Sequence, residues 1–137
     1  MPWYGFIHPL FALATMVFGV RVAQTSMSKV DTWDFPLRRV RSRSVVYFLL
    51  CVANLVLGYL VSAALSGRGV DVKLTAHIPL AIVAVVLALV AAVIGFTRSR
   101  VPGQGPPLMK FQGWLLAVSL AAILTMGFTG LLALFGV

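Results

Sequence analysis

The only two histidines in the chain, His8 and His77, are the residues best suited to chemistry. Each is followed closely by a proline and a long apolar stretch, in Phe-Ile-His-Pro-Leu and in Ala-His-Ile-Pro-Leu. Imidazole nitrogens ligate transition metals, and histidine is a common axial ligand of haem iron. A single histidine near a membrane surface more often contacts lipid headgroups. The pair becomes a candidate metal site only if the chain brings both rings together.

The composition shows what kind of element carries these histidines. Of 137 residues, 61% are hydrophobic and 10% are charged, which excludes an ordinary soluble enzyme and a disordered tail. Charge-free stretches as long as the roughly 20 residues that cross a bilayer occur four times. They are Met1–Val20, Ser44–Gly67, Leu74–Thr97 and Phe111–Val137. None alternates in polarity as a β-barrel strand does. We predict an all-α, integral membrane four-helix up-down bundle, one domain over 1–137 with spans at about 3–21, 44–66, 74–97 and 110–136.

The basic residues predict the orientation of this bundle. The first stretch lacks a basic start and a small-residue cleavage site, so we expect a helix and not a secretory signal. The loops after the first and third spans are rich in Arg and Lys, whereas the second loop holds Arg68, Asp71 and Lys73. The positive-inside rule predicts that both termini lie on the extracytoplasmic side of the inner (cytoplasmic) membrane. Although the net charge is +8, the cations fill short gaps between apolar runs, so the expected partner is the lipid bilayer and not nucleic acid.

Helix direction places the two histidines at one depth. The first and third spans run the same way, and each histidine lies near the start of its span. Such helices can stand diagonally opposite in a four-helix bundle, so the two rings can face each other. We therefore predict bis-histidine ligation of one haem b near the outer face. The similar segments that follow the histidines also suggest a parallel repeat of two hairpins. The four charge-free stretches put no Asp, Glu, Lys or Arg at mid-membrane, which disfavours an ion-coupled transporter.

Neighbouring residues complete the predicted site. Small residues on the second and fourth spans would leave room for a macrocycle, although close helix packing explains them as well. They are Asn54, Gly58, Ser62, Ala63, Thr125, Gly127, Thr129 and Gly130. Gly58 and Gly127 are the best candidates for cofactor clearance. Arg68 and Lys73, with Tyr4, could contact the haem propionates, or the two cations could simply be solvated. Lys110, Gln112 and Trp114 are candidates for a quinone site.

At these residues the chain resembles small transmembrane cytochromes b, of the ascorbate and ferric-reductase types, and their short four-helix bacterial relatives. The resemblance rests on the His8-Pro9 opening, on His77 near the start of the third span, and on the segment Leu-Thr-Met-Gly-Phe-Thr-Gly that ends at Gly130. Larger members of this family hold two histidine pairs, one near each face. This chain has a single pair, so the resemblance implies one haem at most. Similar folds serve as membrane subunits of larger redox complexes.

The sequence therefore favours a membrane electron-transfer protein with one b-type haem. We expect it to work with a redox partner protein or membrane complex, with a quinone as a further candidate partner. The spans offer no general acid or base, so we expect no catalytic chemistry beyond electron transfer. The alternative is a structural subunit of a respiratory or photosynthetic complex. That subunit would either lack a cofactor or use each histidine for its own (bacterio)chlorophyll.

Overall fold

The computed structural model describes residues 3–28, 37–69, 77–97 and 106–134. A short 3-10 helix, Trp3–Phe6, leads into α1, Ile7–Ser28; the other helices are α2, Leu37–Ser66, α3, His77–Thr97, and α4, Pro106–Leu134. The described ranges contain helices and turns and no strand, which confirms the predicted all-α class. Each of the four helices is long and apolar enough to cross a membrane. The four apolar helices therefore indicate a multi-pass membrane protein.

Three helices, α1, α2 and α4, extend beyond the charge-free stretches that predicted them. α1 continues past Arg21 to Ser28, and α2 already begins at Leu37, before its four arginines. Arginine is a good helix former, and its long aliphatic stem can lie along apolar surface while the guanidinium reaches water. A change from apolar to basic residues therefore marks where the hydrocarbon ends but not where the helix ends. α4 begins at Pro106, a residue suited to the first helical position.

The helices form a square in which α1 and α3 occupy one diagonal. α1 packs against α2 and α4, and α3 packs against the same two helices. His8 lies beside Gly58, and Met27 lies beside Gly113 at the opposite end. α1 and α3 thus run in the same direction, antiparallel to α2 and α4. We call the end that holds His8 and His77 the histidine end, and the end where α2 begins the arginine end.

Many buried positions of the first hairpin match buried positions of the second. A residue on α1 corresponds to the residue 69 positions later on α3, as His8 does to His77. A residue on α2 corresponds to the residue 72 positions later on α4, as Tyr47 does to Ser119. The matched buried pairs are Thr15 and Ala84, Gly19 and Ala88, Val22 and Ala91, Ala23 and Ala92, Ser26 and Gly95, Val40 and Gln112, Ser44 and Leu116, Tyr47 and Ser119, and Cys51 and Ile123. This partial match favours the predicted parallel repeat of the α1–α2 and α3–α4 hairpins.

The core is held by small residues and by hydrogen bonds between helices. In lipid, helix association depends on close packing and polar contacts more than on hydrophobic burial. Ala84, Ala88 and Ala91 line the inner face of α3. A Cβ at Gly19 would overlap the Tyr47 ring, so that glycine lets α1 and α2 pack around a large buried side chain.

Polar contacts join all four helices at three levels of the bundle. The Tyr47 hydroxyl lies 3.0 Å from Ser119 Oγ, and Ser119 donates to the Ala84 carbonyl at 2.9 Å. The remaining bonds are Asn54 Nδ2 to Thr15 Oγ1 at 2.9 Å, Gln112 Nε2 to the Ala91 carbonyl at 2.9 Å, and Gln112 Nε2 to Ser44 Oγ at 3.2 Å. These bonds give partners to buried hydroxyl and amide donors that lipid cannot hydrate, and they help to fix the rotation of each helix.

The proton order in the Tyr47 network leads to a stability prediction. Because Ser119 uses its one hydroxyl hydrogen on Ala84, Tyr47 must donate to Ser119. We expect Tyr47→Phe to cost about 0.6 kcal/mol, typical of an interhelical hydrogen bond in a membrane. Ser119→Ala should cost more, about 1–2 kcal/mol, since it leaves the Tyr47 hydroxyl buried without its oxygen acceptor.

The measurement is reversible unfolding of the purified protein in mixed detergent micelles. Tyr59→Phe is the matched control, because Tyr59 is 73% exposed on the lipid-facing side of α2 and should change nothing. A larger loss for Tyr47→Phe than for Ser119→Ala would contradict the assigned direction of the bond.

Candidate functional site

The structure brings His8 and His77 together across the bundle. Their ring centroids are 5.9 Å apart, and the ring planes meet at 71°. The contact arises because each histidine lies in the first turn of its helix, and α1 and α3 are parallel and diagonal. Equal depth and diagonal placement together make two residues that are far apart in the sequence direct neighbours.

The spacing of the rings suits two ligands on one metal. Histidine–metal bonds are about 2 Å long, so two imidazoles on opposite sides of one metal have centroids about 6 Å apart. The rings meet edge to face at 5.9 Å, so they must rotate and also separate by about 0.4 Å to aim one nitrogen each at a shared metal. Nδ1 of both rings is buried and completes no hydrogen bond, although the Met126 backbone offers an acceptor beside the His77 ring. Unpartnered buried nitrogens leave capacity for a ligand.

The donor set favours a metal that brings most of its own ligands. Within the described ranges, no group of three or more His, Cys, Asp or Glu side chains could hold a bare ion. A bare zinc ion usually takes three or four protein ligands, whereas haem iron takes four from its macrocycle and needs only the two axial positions. Two facing imidazoles therefore fit haem iron better than a free ion.

Glycines on α2 and α4 form the walls beside the two rings. A Cβ at Gly58 would lie 3.0 Å from Cε1 and 3.2 Å from Nε2 of His8. A Cβ at Gly130 would lie 3.7 Å from Cε1 of His77. The predicted Gly58 therefore does stand against a candidate ligand, while Gly127 lies on an exposed part of α4 with open space around it.

If the repeat had one constant offset, Gly58 would correspond to Gly127 and not to Gly130. The offset of 69 residues between the histidines, added to Gly58, leads to Gly127. In the structure, however, the glycine beside His8 follows it by 50 residues, whereas the glycine beside His77, Gly130, follows it by 53. The second hairpin is thus longer by three residues, nearly one helical turn. The sequence contains both glycines, and only the packing of α4 against α3 distinguishes them.

A cation lies at the same end of the bundle. Cζ of the exposed Arg68 is 5.2 Å from the centroid of the Tyr4 ring, and Tyr4 comes one helical turn before His8. The chain leaves α2 through Gly69, whose φ of 75° suits glycine at a helix C-terminus. Arg68 and Tyr4 therefore lie at the same end of the bundle as the histidine pair. The contact with haem propionates stays a prediction, and Lys73 falls outside the described residues.

Of the three residues proposed for a quinone site, the two whose side chains the structure describes, Gln112 and Trp114, do not line a common pocket. Gln112 is fully buried, and its amide nitrogen is bonded to Ala91 and Ser44 in the core. Trp114 is 62% exposed on the lipid-facing side of α4, and the side chain of Lys110 is outside the described part. Two shallow grooves along α1, one beside Leu120 and one beside Leu10, are lined mainly by apolar side chains.

Comparison of the chain with models of protein families, with curated proteins and with solved structures found no match. The function is therefore argued from the histidine pair and its surroundings.

Proposed function

We propose that this protein is a membrane electron-transfer protein that binds one haem b between His8 and His77. The observation that supports the proposal is the pairing of the chain's only two imidazoles at 5.9 Å inside a bundle of four apolar helices. Both rings also lie at one level on diagonal helices, and each stands beside a glycine.

Each residue of the site has a defined task in this proposal. His8 and His77 would each offer one imidazole nitrogen to the iron, and the missing side chain of Gly58 leaves the His8 ring space to face the bundle axis. Arg68 and Tyr4 offer a cation and a hydroxyl to the carboxylates of the cofactor. When bound, haem supplies reversible one-electron chemistry. Burial in the apolar bundle and the charge of Arg68 both favour the state with less positive charge, which is the reduced one.

The proposal includes an orientation in the inner membrane. Among the described residues, Arg21, Arg38, Arg39, Arg41 and Arg43 lie at the arginine end, and Arg68 lies at the histidine end. We place the arginine end in the cytoplasm and the histidine end with both termini outside, following the positive-inside rule. The haem would then exchange electrons at the outer face with a redox partner protein, a larger membrane complex or a quinone.

The rival is a structural subunit whose histidines ligate separate pigments or nothing. Each pigment ring needs its own histidine face, and two rings in contact with each other leave no room for two macrocycles. The ring contact therefore favours one shared cofactor over two separate ones.

The deciding experiment is an absorption spectrum of the protein purified from membranes with haem supplied. We expect a sharp Soret band and a reducible α band typical of bis-histidine iron, with one haem bound per chain by pyridine haemochrome assay. A colourless preparation that takes up no haem on titration would contradict the proposal. Long-wavelength pigment absorption would support the rival.

A further inference from the structure

We propose that α1 carries a binding site for one anionic phospholipid from the bilayer leaflet at the arginine end. One acyl chain would lie in the groove that begins at Leu10, and the lipid phosphate would bind the guanidinium of Arg21. The inference does not depend on haem, because the groove lies on the lipid-facing side of α1, whereas His8 contacts His77 inside the bundle.

The groove follows a single face of α1. Its lining residues recur at alternating intervals of three and one, the spacing of one helix face. They are Leu10, Leu13, Ala14, Val17, Phe18 and Arg21. Leu10, Leu13 and Val17 are each at least 50% exposed, and the small Ala14 among them leaves a hollow of about 480 Å³. All of the lining side chains except Arg21 are apolar, so the groove suits a hydrocarbon chain.

The length of the groove matches one leaflet of a bilayer. Leu10 lies at the midpoint of the charge-free stretch Met1–Val20, and Arg21 is the first residue after that stretch. The rise from Leu10 to Arg21 is about 16 Å at 1.5 Å per residue. Half of a hydrocarbon core is about 15 Å thick. An acyl chain that ends beside Leu10 would therefore bring its phosphate to the level of Arg21.

Arg21 places a positive charge at the headgroup end of this apolar groove. The Cα–Cβ bonds of a helix tilt toward its N-terminus, so the aliphatic stem of Arg21 leaves α1 on the side of Phe18. Arg21 is exposed, and the described residues include no Asp or Glu that could neutralise it. A guanidinium beside hydrocarbon needs an anion, and a phosphate accepts two parallel N–H bonds from arginine.

The surrounding charge favours an anionic lipid over a zwitterionic one. Arg38, Arg39, Arg41 and Arg43 lie at the same end of the bundle as Arg21. Their combined field attracts anionic headgroups and repels the ammonium group that phosphatidylcholine carries beside its phosphate. Phosphatidylglycerol has a phosphate and no cation, so it meets both requirements of the site.

The first test compares two arginine variants that lower the net charge equally. The purified protein is titrated in detergent with dioleoyl phosphatidylglycerol, and the first bound lipid is followed by native mass spectrometry. We expect Arg21→Gln to weaken this binding by about fivefold or more, and Arg39→Gln by less than about twofold. Arg39 is exposed like Arg21 but does not line the groove. Equal losses in the two variants would show attraction by diffuse charge only and would overturn the inference.

The second test varies the shape of the groove. Ala14→Phe should weaken the binding of phosphatidylglycerol, because the added ring fills the hollow that the acyl chain needs. Ala63→Phe is the matched control, since Ala63 is equally classed as exposed but lies on α2, outside the groove. Unchanged binding by Ala14→Phe, or an equal loss in the control, would contradict the assigned position of the chain.

The third test uses the unsubstituted protein and so does not depend on the folding of any variant. Dioleoyl phosphatidylcholine, which has the same acyl chains, should bind clearly more weakly than dioleoyl phosphatidylglycerol. Glycerol 3-phosphate, which has a phosphate and no acyl chain, should not displace the bound lipid. Equal binding of the two lipids would show an ordinary lipid annulus, and displacement by glycerol 3-phosphate would show a site for free phosphate. Either result would overturn the inference.

Discussion

Alanine at either His8 or His77 is expected to abolish the six-coordinate low-spin spectrum of the haem-loaded protein completely. Each imidazole would supply one of two axial nitrogens, and the described residues near the pair offer no third histidine, cysteine or carboxylate as a substitute. The measurement is the optical and electron paramagnetic resonance spectrum of each purified variant. The loss should be total, because a missing axial ligand cannot be replaced by a shift of the helices.

Leu10→Ala is the matched control for this experiment. Leu10 lies two residues after His8 on the same turn of α1, but it is 65% exposed on the lipid-facing side. We expect its spectrum to match that of the unsubstituted protein. A normal six-coordinate spectrum in either histidine variant would remove the basis for the proposed function, whatever the control shows.

The second large effect is expected from a single methyl group at Gly58. A Cβ there would lie 3.0 Å from His8 Cε1, tighter than nine in ten Cβ contacts in proteins, so the ring or α2 must shift by a few tenths of an ångström. Because axial ligation requires the ring to face the bundle axis, we expect Gly58→Ala to weaken haem affinity by about tenfold or more. The measurement is a haem titration followed by the Soret band.

Gly130→Ala is the matched control, because it makes the same substitution at the corresponding position of the second hairpin, beside His77. Both substitutions gain up to about 1 kcal/mol of helix propensity, so that effect cancels in the comparison. At Gly130 the added methyl would lie 3.7 Å from His77 Cε1, an ordinary contact, and the affinity should change by less than about threefold. If Gly130→Ala weakened binding as much as Gly58→Ala, the unequal packing of the two rings would have no consequence for haem.

The course of the helices was predictable because the bilayer imposes a strict rule on the sequence. A chain segment in hydrocarbon must bond its own backbone and exclude charge, so four uncharged stretches fix four helices. The rule fails at the helix ends, where α1 continues to Ser28 and α2 begins at Leu37. A helix that has left the hydrocarbon may carry arginine, and charge alone does not mark where its hydrogen bonds stop.

The core residues were less predictable than the spans. Nothing in the sequence separates Tyr47, fully buried, from Tyr59, which is 73% exposed, since both lie in the same apolar helix. Lipid and protein interior are similarly apolar, so hydrophobicity does not indicate which face of a membrane helix is buried. The polar partners of Tyr47, Asn54 and Gln112 on other helices identify the inner faces, and these partners are known only from the packing.

The sequence by itself determined the number of helices, their alternating direction and the common depth of His8 and His77, because each follows from counting residues along a membrane span. Only the tertiary structure decided that α1 and α3 lie on a diagonal, that the two rings meet, and that Gly130 stands beside His77. Rotation of a helix about its axis costs nothing in lipid until another helix packs against it. The choice among rotations is therefore made by interhelical contacts between residues far apart in the chain.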